Sequence, residues 1–382
     1  MKRPILIMLM ICVQALTALA QLPILRIDQP EIDGTTVKFN LHAPEAKEVK
    51  LFSDFIPGTD IFGLGGNVLM EKGPDGTWTY TAENLKPEFY FYFYVVDGVK
   101  TLDPWNISVV HNYKEHLNTF LIKGETSRYY EVAGSQKGTL VQPWYPSSVL
   151  GHEKRVSIYL PYGYDGKKKY DVLYLQHGGG DDEETWLTMG RLCQIMDHMI
   201  AEGKCEPMIV VMPNCWDNLL ASFNVMPPMA SERTYGEWPP TANPGGKYVE
   251  DLVTCLIPYV EANFRVKKGS GHRALSGLSA GGQYTLNVMK NHPELFDYIC
   301  IMGSGIRDKS KAHDILTPFK EDGYRLFWTG CNEKDLTWDE FRTMIECVEA
   351  EGMEYTYFDP QSGHNWSTWR KNLMDFLPRL FK

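Results

Sequence analysis

The segment Arg273-Ala-Leu-Ser-Gly277-Leu278-Ser279-Ala280-Gly281-Gly282 constrains this chain more than any other. It sets Gly-x-Ser-x-Gly after an apolar strand pattern and ahead of a helical run, the context that a nucleophile elbow requires. A serine on so sharp a strand-to-helix turn keeps its hydroxyl exposed, and the flanking glycines leave room for close packing. The backbone N–H of Ala280, at the helix start, would point at a developing oxyanion.

A serine hydroxyl is a weak nucleophile at neutral pH and needs a base, itself oriented by a carboxylate, and on such folds the partners follow in the order serine, acid, histidine. His364, in Gly363-His364-Asn365-Trp366, lies just past the last strand pattern and is the expected base. His313 sits in a lysine-rich polar stretch and reads as solvated, and His292 reads as a surface or capping residue. The acid belongs beyond the penultimate strand, where Leu326-Phe-Trp-Thr-Gly330 leads into Cys331-Asn-Glu-Lys-Asp335. Asp335 is the first choice, with Glu333, Asp339 and Asp359 left open.

A second oxyanion donor is expected after the strand Val172 to Gln176, where His177 introduces Gly178-Gly179-Gly180. Glycines let backbone N–H groups approach a substrate oxygen with no Cβ in the way. Gly179 is the first choice and Gly178 the next. His177 reads as a brace for this loop, and the run Asp181-Asp-Glu-Glu184 as solvated charges at a helix start, not as a cation site.

Around this centre the strand patterns Val156 to Leu160, Val172 to Gln176, Met208 to Met212, Arg273 to Ser276, Tyr298 to Met302, Leu326 to Thr329 and Tyr355 to Phe358 alternate with helical ones. Those are Arg191 to Ala201, Tyr248 to Asn263, Gly282 to Asn291 and Trp338 to Glu351, which together imply a mostly parallel sheet covered on both faces. Residues 21–123 read differently, as short strands with turns at Asp75-Gly76 and Asp97-Gly98, the pattern of a β-sandwich. Its segment Phe89-Tyr-Phe-Tyr-Phe-Tyr-Val-Val96 is aromatic on both faces, as expected for a strand buried on one side and covered or used on the other. Residues 124–148 read as a linker, and 149–382 as the second domain.

With 382 residues, 43% hydrophobic and 23% charged, the chain has ample material for two domains. Lys2 and Arg3 followed by an apolar run ending in Ala18-Leu-Ala20 read as an export signal over residues 1–20, so the expected location is periplasmic or extracellular. No other segment suggests membrane insertion. Losing Lys2 and Arg3 takes the formal charge from −10 to −12, which disfavours nucleic acid as a partner. Cysteines 193, 205, 215, 255, 300, 331 and 347 are odd in number and form no Cys-x-x-Cys pair, against a disulfide framework or a zinc site. They read as buried thiols.

His177-Gly-Gly-Gly-Asp-Asp, Gly277-Leu-Ser-Ala-Gly-Gly, Asn332-Glu-Lys-Asp335 and Gly363-His-Asn-Trp-Ser-Thr-Trp-Arg370 resemble the motifs of carbohydrate esterase family one. That family includes feruloyl esterases, acetyl xylan esterases and esterase D-like and enterochelin esterase-like proteins. The likeness covers residues 140 to 382. Val37-Lys-Phe-Asn-Leu-His-Ala-Pro44, Asp75-Gly-Thr-Trp78 and Tyr94-Val-Val-Asp-Gly98, followed by Asp103-Pro-Trp-Asn106, are similar to the early-set immunoglobulin-like module related to glycogen-binding domains. The loop around the acid departs from the family pattern in having less glycine.

The resemblance implies an α/β-hydrolase domain behind an all-β immunoglobulin-like sandwich, with Ser279, Asp335 and His364 as the triad. It implies a polysaccharide or oligosaccharide ester as substrate, carrying a feruloyl or acetyl group, and no cofactor or metal. A siderophore trilactone esterase and a non-catalytic carbohydrate-binding protein are the alternatives. The segment Asn214 to Gly246, with Trp216 and Trp238, is long and apolar for a loop; it reads either as a cover holding an aromatic acyl group or as a loop packed on its own domain. Trp366 is expected near the site. In the sandwich, Trp78, Trp105 and the tyrosines are expected at the interface between the domains, with sugar stacking the other reading.

Overall fold

The computed structural model describes residues 30–58, 65–112, 115–132, 134–222, 224–225 and 246–382. The export signal, Trp238 and most of the segment 214–246 lie outside them. Among the described residues the strands form three sheets.

The first two sheets belong to the N-terminal part. Glu31–Asp33, Thr36–His42, Thr77–Ala82 and Glu71–Lys72 make one of four antiparallel strands. The other, of six, is centred on Phe89–Val96, which pairs with Val49–Ser53 on one side and Glu115–Leu121 on the other. The period of two along a strand explains the double aromatic run. Tyr90, Tyr92 and Tyr94 enter the sandwich core with Val37, Phe39 and Phe120, whereas Phe89, Phe91 and Phe93 join a cluster with Trp186, Leu192, Trp328 and Trp366 of the second domain. Each buried phenylalanine contributes about 1.5–3 kcal/mol of apolar burial, so the two domains share a core. The tryptophans lie elsewhere than expected. Trp78 belongs to the sandwich core, its indole N–H donating to Ala43 O at 3.0 Å, and Trp105 is 38% exposed.

The third sheet has nine strands, and six of them run in the order Met208–Pro213, Asp171–Gln176, Arg273–Leu278, Tyr298–Met302, Leu326–Gly330 and Thr356–Phe358, all parallel. His152–Leu160 joins antiparallel at the Met208–Pro213 edge. Thr139–Val141 and Trp144–Ser147 then pair with His152–Leu160, so the C-terminal part of the stretch expected to be a linker is built into the sheet. These strands are short and half exposed at the sheet edge, which is why their composition looks like that of a loop. Helices cover both faces, among them Leu192–Ala201, Ala280–Asn291 and Trp338–Ala350. Ala312–Asp322 and Trp366–Phe376 are two helices that periodicity had not distinguished. His313 lies exposed on the former, bonded to Glu351 and Thr317. No helix among the described residues is long and apolar enough to cross a membrane.

Candidate active site

Ser279 separates the strand Arg273–Leu278 from the helix Ala280–Asn291, with φ 52° and ψ −113°. A non-glycine residue held there stores about 1–3 kcal/mol of strain. Two glycines make the turn feasible. A Cβ on Gly277 would stand 2.2 Å from the carbonyl carbon of Gly281, and one on Gly281 would meet His177 O at 2.6 Å. Ser279 N–H donates to Met302 O at 2.8 Å, tying the elbow to the neighbouring strand. Ala280 opens a helix of twelve residues, so its N–H belongs to the first turn, where donors lack intrahelical partners and the dipole favours negative charge.

The glycine loop lies against this elbow. A Cβ on Gly178 would be 3.5 Å from Ser279 Cβ, and one on Gly179 would reach only Ala280 Cβ, at 4.0 Å. His177 is buried beneath the loop, where its Nε2 accepts from Cys215 N–H at 2.9 Å and its Nδ1–H therefore donates to Gly178 O at 2.7 Å. Burial pushes its pKa down to about 4 and keeps the ring neutral.

The acidic run behind the loop is not solvated. Asp181, Asp182 and Glu183 are buried. Glu183 accepts from Ser222 N–H at 2.8 Å and Asn214 Nδ2 at 2.9 Å, and Glu184 accepts from Arg155 at 2.7 Å. Burial, assisted by the charge of Asp182, raises Asp181 to about 8 and Glu183 to about 7. Glu183 and Glu184 are drawn inward because donors from sequence-distant segments, Arg155, Asn214 and Ser222, converge on them. Among the described residues no group of three or more His, Cys, Asp or Glu is arranged to hold a metal ion.

His364 and Asp335 meet, Nδ1 to Oδ1, at 2.9 Å. The same carboxylate oxygen accepts from Thr337 N–H at 2.8 Å and its hydroxyl at 2.7 Å, an Asx-type turn that fixes the side chain. Burial works to raise the Asp335 carboxyl, but the His364 ring and these Thr337 bonds outweigh it and hold it below the usual carboxylate range. An ionised Asp335 assigns the histidine proton to Nδ1 and leaves Nε2 as the basic nitrogen. Trp369 stands edge-on to the ring, centroids 4.8 Å apart. Gly303 follows Met302, the acceptor for Ser279 N–H, and a Cβ there would lie 3.1 Å from Asp335 Oδ2.

The other carboxylates are engaged elsewhere. Asp359 accepts from Asn332 Nδ2 at 2.7 Å, Asp339 sits in the first turn of Trp338–Ala350, and Glu333 is exposed. Trp216 and Trp366, expected as substrate contacts, are turned inward. Trp216 donates to Asp181 O at 2.7 Å, and Trp366 packs edge-on against Trp186 at 5.3 Å. Both rings fill space next to the loops that carry Asp181 and His364, where apolar burial outweighs exposure. Thr337 and Trp369 were not singled out in the sequence; an Asp-x-Thr turn signal was present for the first, and the second lies within the motif that follows His364.

A strained serine at a strand-to-helix junction, on a mostly parallel sheet covered by helices, defines the α/β-hydrolase fold. The chain belongs to the Esterase family, whose model, described as "Putative esterase", matches residues 147–350. It is 28% identical over 352 residues to an endo-1,4-beta-xylanase/feruloyl esterase of Xylanibacter ruminicola, an alignment covering 90% of this chain and 44% of that protein. The chain thus spans less than half the length of this relative. The solved feruloyl esterase module from Clostridium thermocellum superposes with a TM-score of 0.56 at 24% identity, covering 66% of this chain and 91% of that one. The enterobactin esterase from Shigella flexneri superposes with a TM-score of 0.62 at 13% identity, covering 91% of this chain and 93% of that one.

Proposed function

We propose that this chain is an exported serine esterase that removes feruloyl or acetyl groups from xylan-type polysaccharides, with Ser279, His364 and Asp335 as its triad. The observation that carries the reading is the 2.9 Å bond between His364 Nδ1 and Asp335, which leaves Nε2 basic in a fold whose elbow presents Ser279. Ser279 Oγ attacks the ester carbonyl as Nε2 takes its proton, and the tetrahedral oxyanion is received by the N–H groups of Gly179 and Ala280. Collapse of the intermediate breaks the bond to the sugar oxygen, which leaves with the proton from His364. Water, deprotonated by the same histidine, then releases the acid from Ser279. None of these steps requires a cofactor.

The xylan assignment is supported by the relative from Xylanibacter ruminicola, whose alignment runs through both domains. The likeness to an enterobactin esterase over 91% of the chain favours a second reading, hydrolysis of a catechol-siderophore ester. A panel of methyl ferulate, acetylated xylan and a catechol trilactone separates the two. The expected result is release of ferulate or acetate by the wild type and none by Ser279→Ala; turnover of the trilactone alone would replace the xylan reading. Failure on all three together with xylan retention would favour a non-catalytic carbohydrate-binding protein.

A further inference from the structure

The helix Trp366–Phe376 begins two residues after His364 and is gripped at its first turn by the other domain. Ser367 Oγ–H donates to Glu88 Oε2 at 2.7 Å, while Arg370 donates to Glu88 Oε1 through Nη2 at 2.9 Å and Nε at 3.2 Å. Both carboxylate oxygens of Glu88, at the start of the aromatic strand of the sandwich, are thus committed to the helix that follows the histidine. Arg370 is fully buried, and its guanidinium lies near the rings of Phe89 and Tyr130. It also donates to Phe89 O at 2.8 Å and to Met189 O at 2.6 Å. Met189 closes the short helix Thr185–Thr188 downstream of the glycine loop. One side chain therefore joins the sandwich, the histidine helix and the segment beyond the oxyanion loop. A second contact between the sandwich and that segment is His111 Nδ1, 3.6 Å from Asp182 Oδ2.

We propose that Glu88 is a positioning residue for His364, so that the N-terminal sandwich is part of the catalytic apparatus. The inference rests on the esterase reading above. Adhesion between the domains is already provided by Phe89, Phe91 and Phe93 in the shared core. A buried ion pair is costly to desolvate and is favourable only when its geometry is fully satisfied, so it specifies an arrangement more than it adds cohesion. Here the arrangement is directional. Trp369, which stands edge-on to His364, immediately precedes Arg370, and Ser367 lies three residues beyond the histidine. Removing the Glu88 anchor lets the first helical turn shift. Misplacement of a catalytic base by about 1 Å costs on the order of 100-fold in rate.

The test uses the full chain and an aryl ester that the wild type hydrolyses and Ser279→Ala does not. That comparison judges the esterase reading separately, before any anchor variant is made. Glu88→Gln and Ser367→Ala are compared with Phe91→Leu, which loosens the same apolar interface but removes no hydrogen bond to the helix. Steady-state constants, the pH profile of kcat/KM and melting temperature are measured for each. Glu88→Gln is expected to lower kcat about 10- to 100-fold with KM nearly unchanged and to displace the acid limb of the profile. Ser367→Ala, which removes a single contact, should lower kcat severalfold with only a small fall in melting temperature, and it carries the test if Glu88→Gln does not fold. Phe91→Leu should melt lower and keep its kcat and profile. The proposal is overturned if Glu88→Gln keeps the wild-type kcat, if Ser367→Ala does so, or if Phe91→Leu loses kcat and shifts its profile alike.

Discussion

His364 and Asp335 stand 29 residues apart in the chain and 2.9 Å apart in the fold, with Thr337 bonded to the same carboxylate oxygen. Asp335→Asn keeps the size of the side chain but presents an amide that favours the wrong histidine tautomer. We expect kcat to fall by about 10³–10⁴ with little change in KM. Steady-state kinetics on an aryl ester checks this, and a fall in kcat below tenfold would return Asp359 or Glu333 to consideration.

Gly277→Ala drives a methyl group to 2.2 Å from the Gly281 carbonyl carbon, where backbone must move. This variant should be destabilised by more than about 3 kcal/mol or fail to fold, as overpacking against backbone does. Gly179→Ala meets nothing closer than 4.0 Å and should fold normally. Its activity should nevertheless drop, because the added methyl occupies the side from which an ester oxygen must reach the loop. Paired urea melts and rate measurements decide both; a Gly179→Ala variant with wild-type kcat/KM would remove this loop from the oxyanion site.

His177 stays neutral in the fold down to about pH 4, whereas the unfolded chain protonates it near its ordinary value of 6.5. Between those values the unfolded state binds more protons, so the contribution of His177 to stability is complete above 6.5 and is lost as pH falls towards 4. The loss approaches about 3 kcal/mol. His177→Gln does not titrate, and the stability difference between it and the wild type should shrink over this window. Urea unfolding at several pH values measures it, and parallel curves would show that His177 is not the group responsible.

The seven described cysteines are free, and six of them are buried. Reducing agent should therefore leave the melting temperature unchanged. Alkylation of the native protein should reach Cys193 before the others, a sequence that intact-mass and peptide mapping can follow.

Residues whose meaning is local were legible early. The turn at Gly277, Ser279 and Gly281 was legible because an elbow is a backbone event within five residues, and the parallel strands because a sheet buried on both faces demands continuous apolar runs. His364 and Asp335 were placed by their position after the last strands, which topology converts into proximity. The aromatic strand implied one buried face and one covered or used, without showing against what. The acidic run misled, because nothing in Asp181-Asp-Glu-Glu184 announces that Arg155, Asn214 and Ser222 converge on it.

By itself, then, the sequence determined the elbow, the order of strands and helices, and the candidates for nucleophile, base and acid, since each follows from short-range sterics, periodicity or chain order. Only the tertiary structure decided that Asp335 is the carboxylate on His364, that Trp216 and Trp366 face inward, and that Glu88 holds Arg370 across 282 residues. Those choices depend on burial. Which donors meet a desolvated charge is set by the packing of distant segments, and no local pattern in the chain records it.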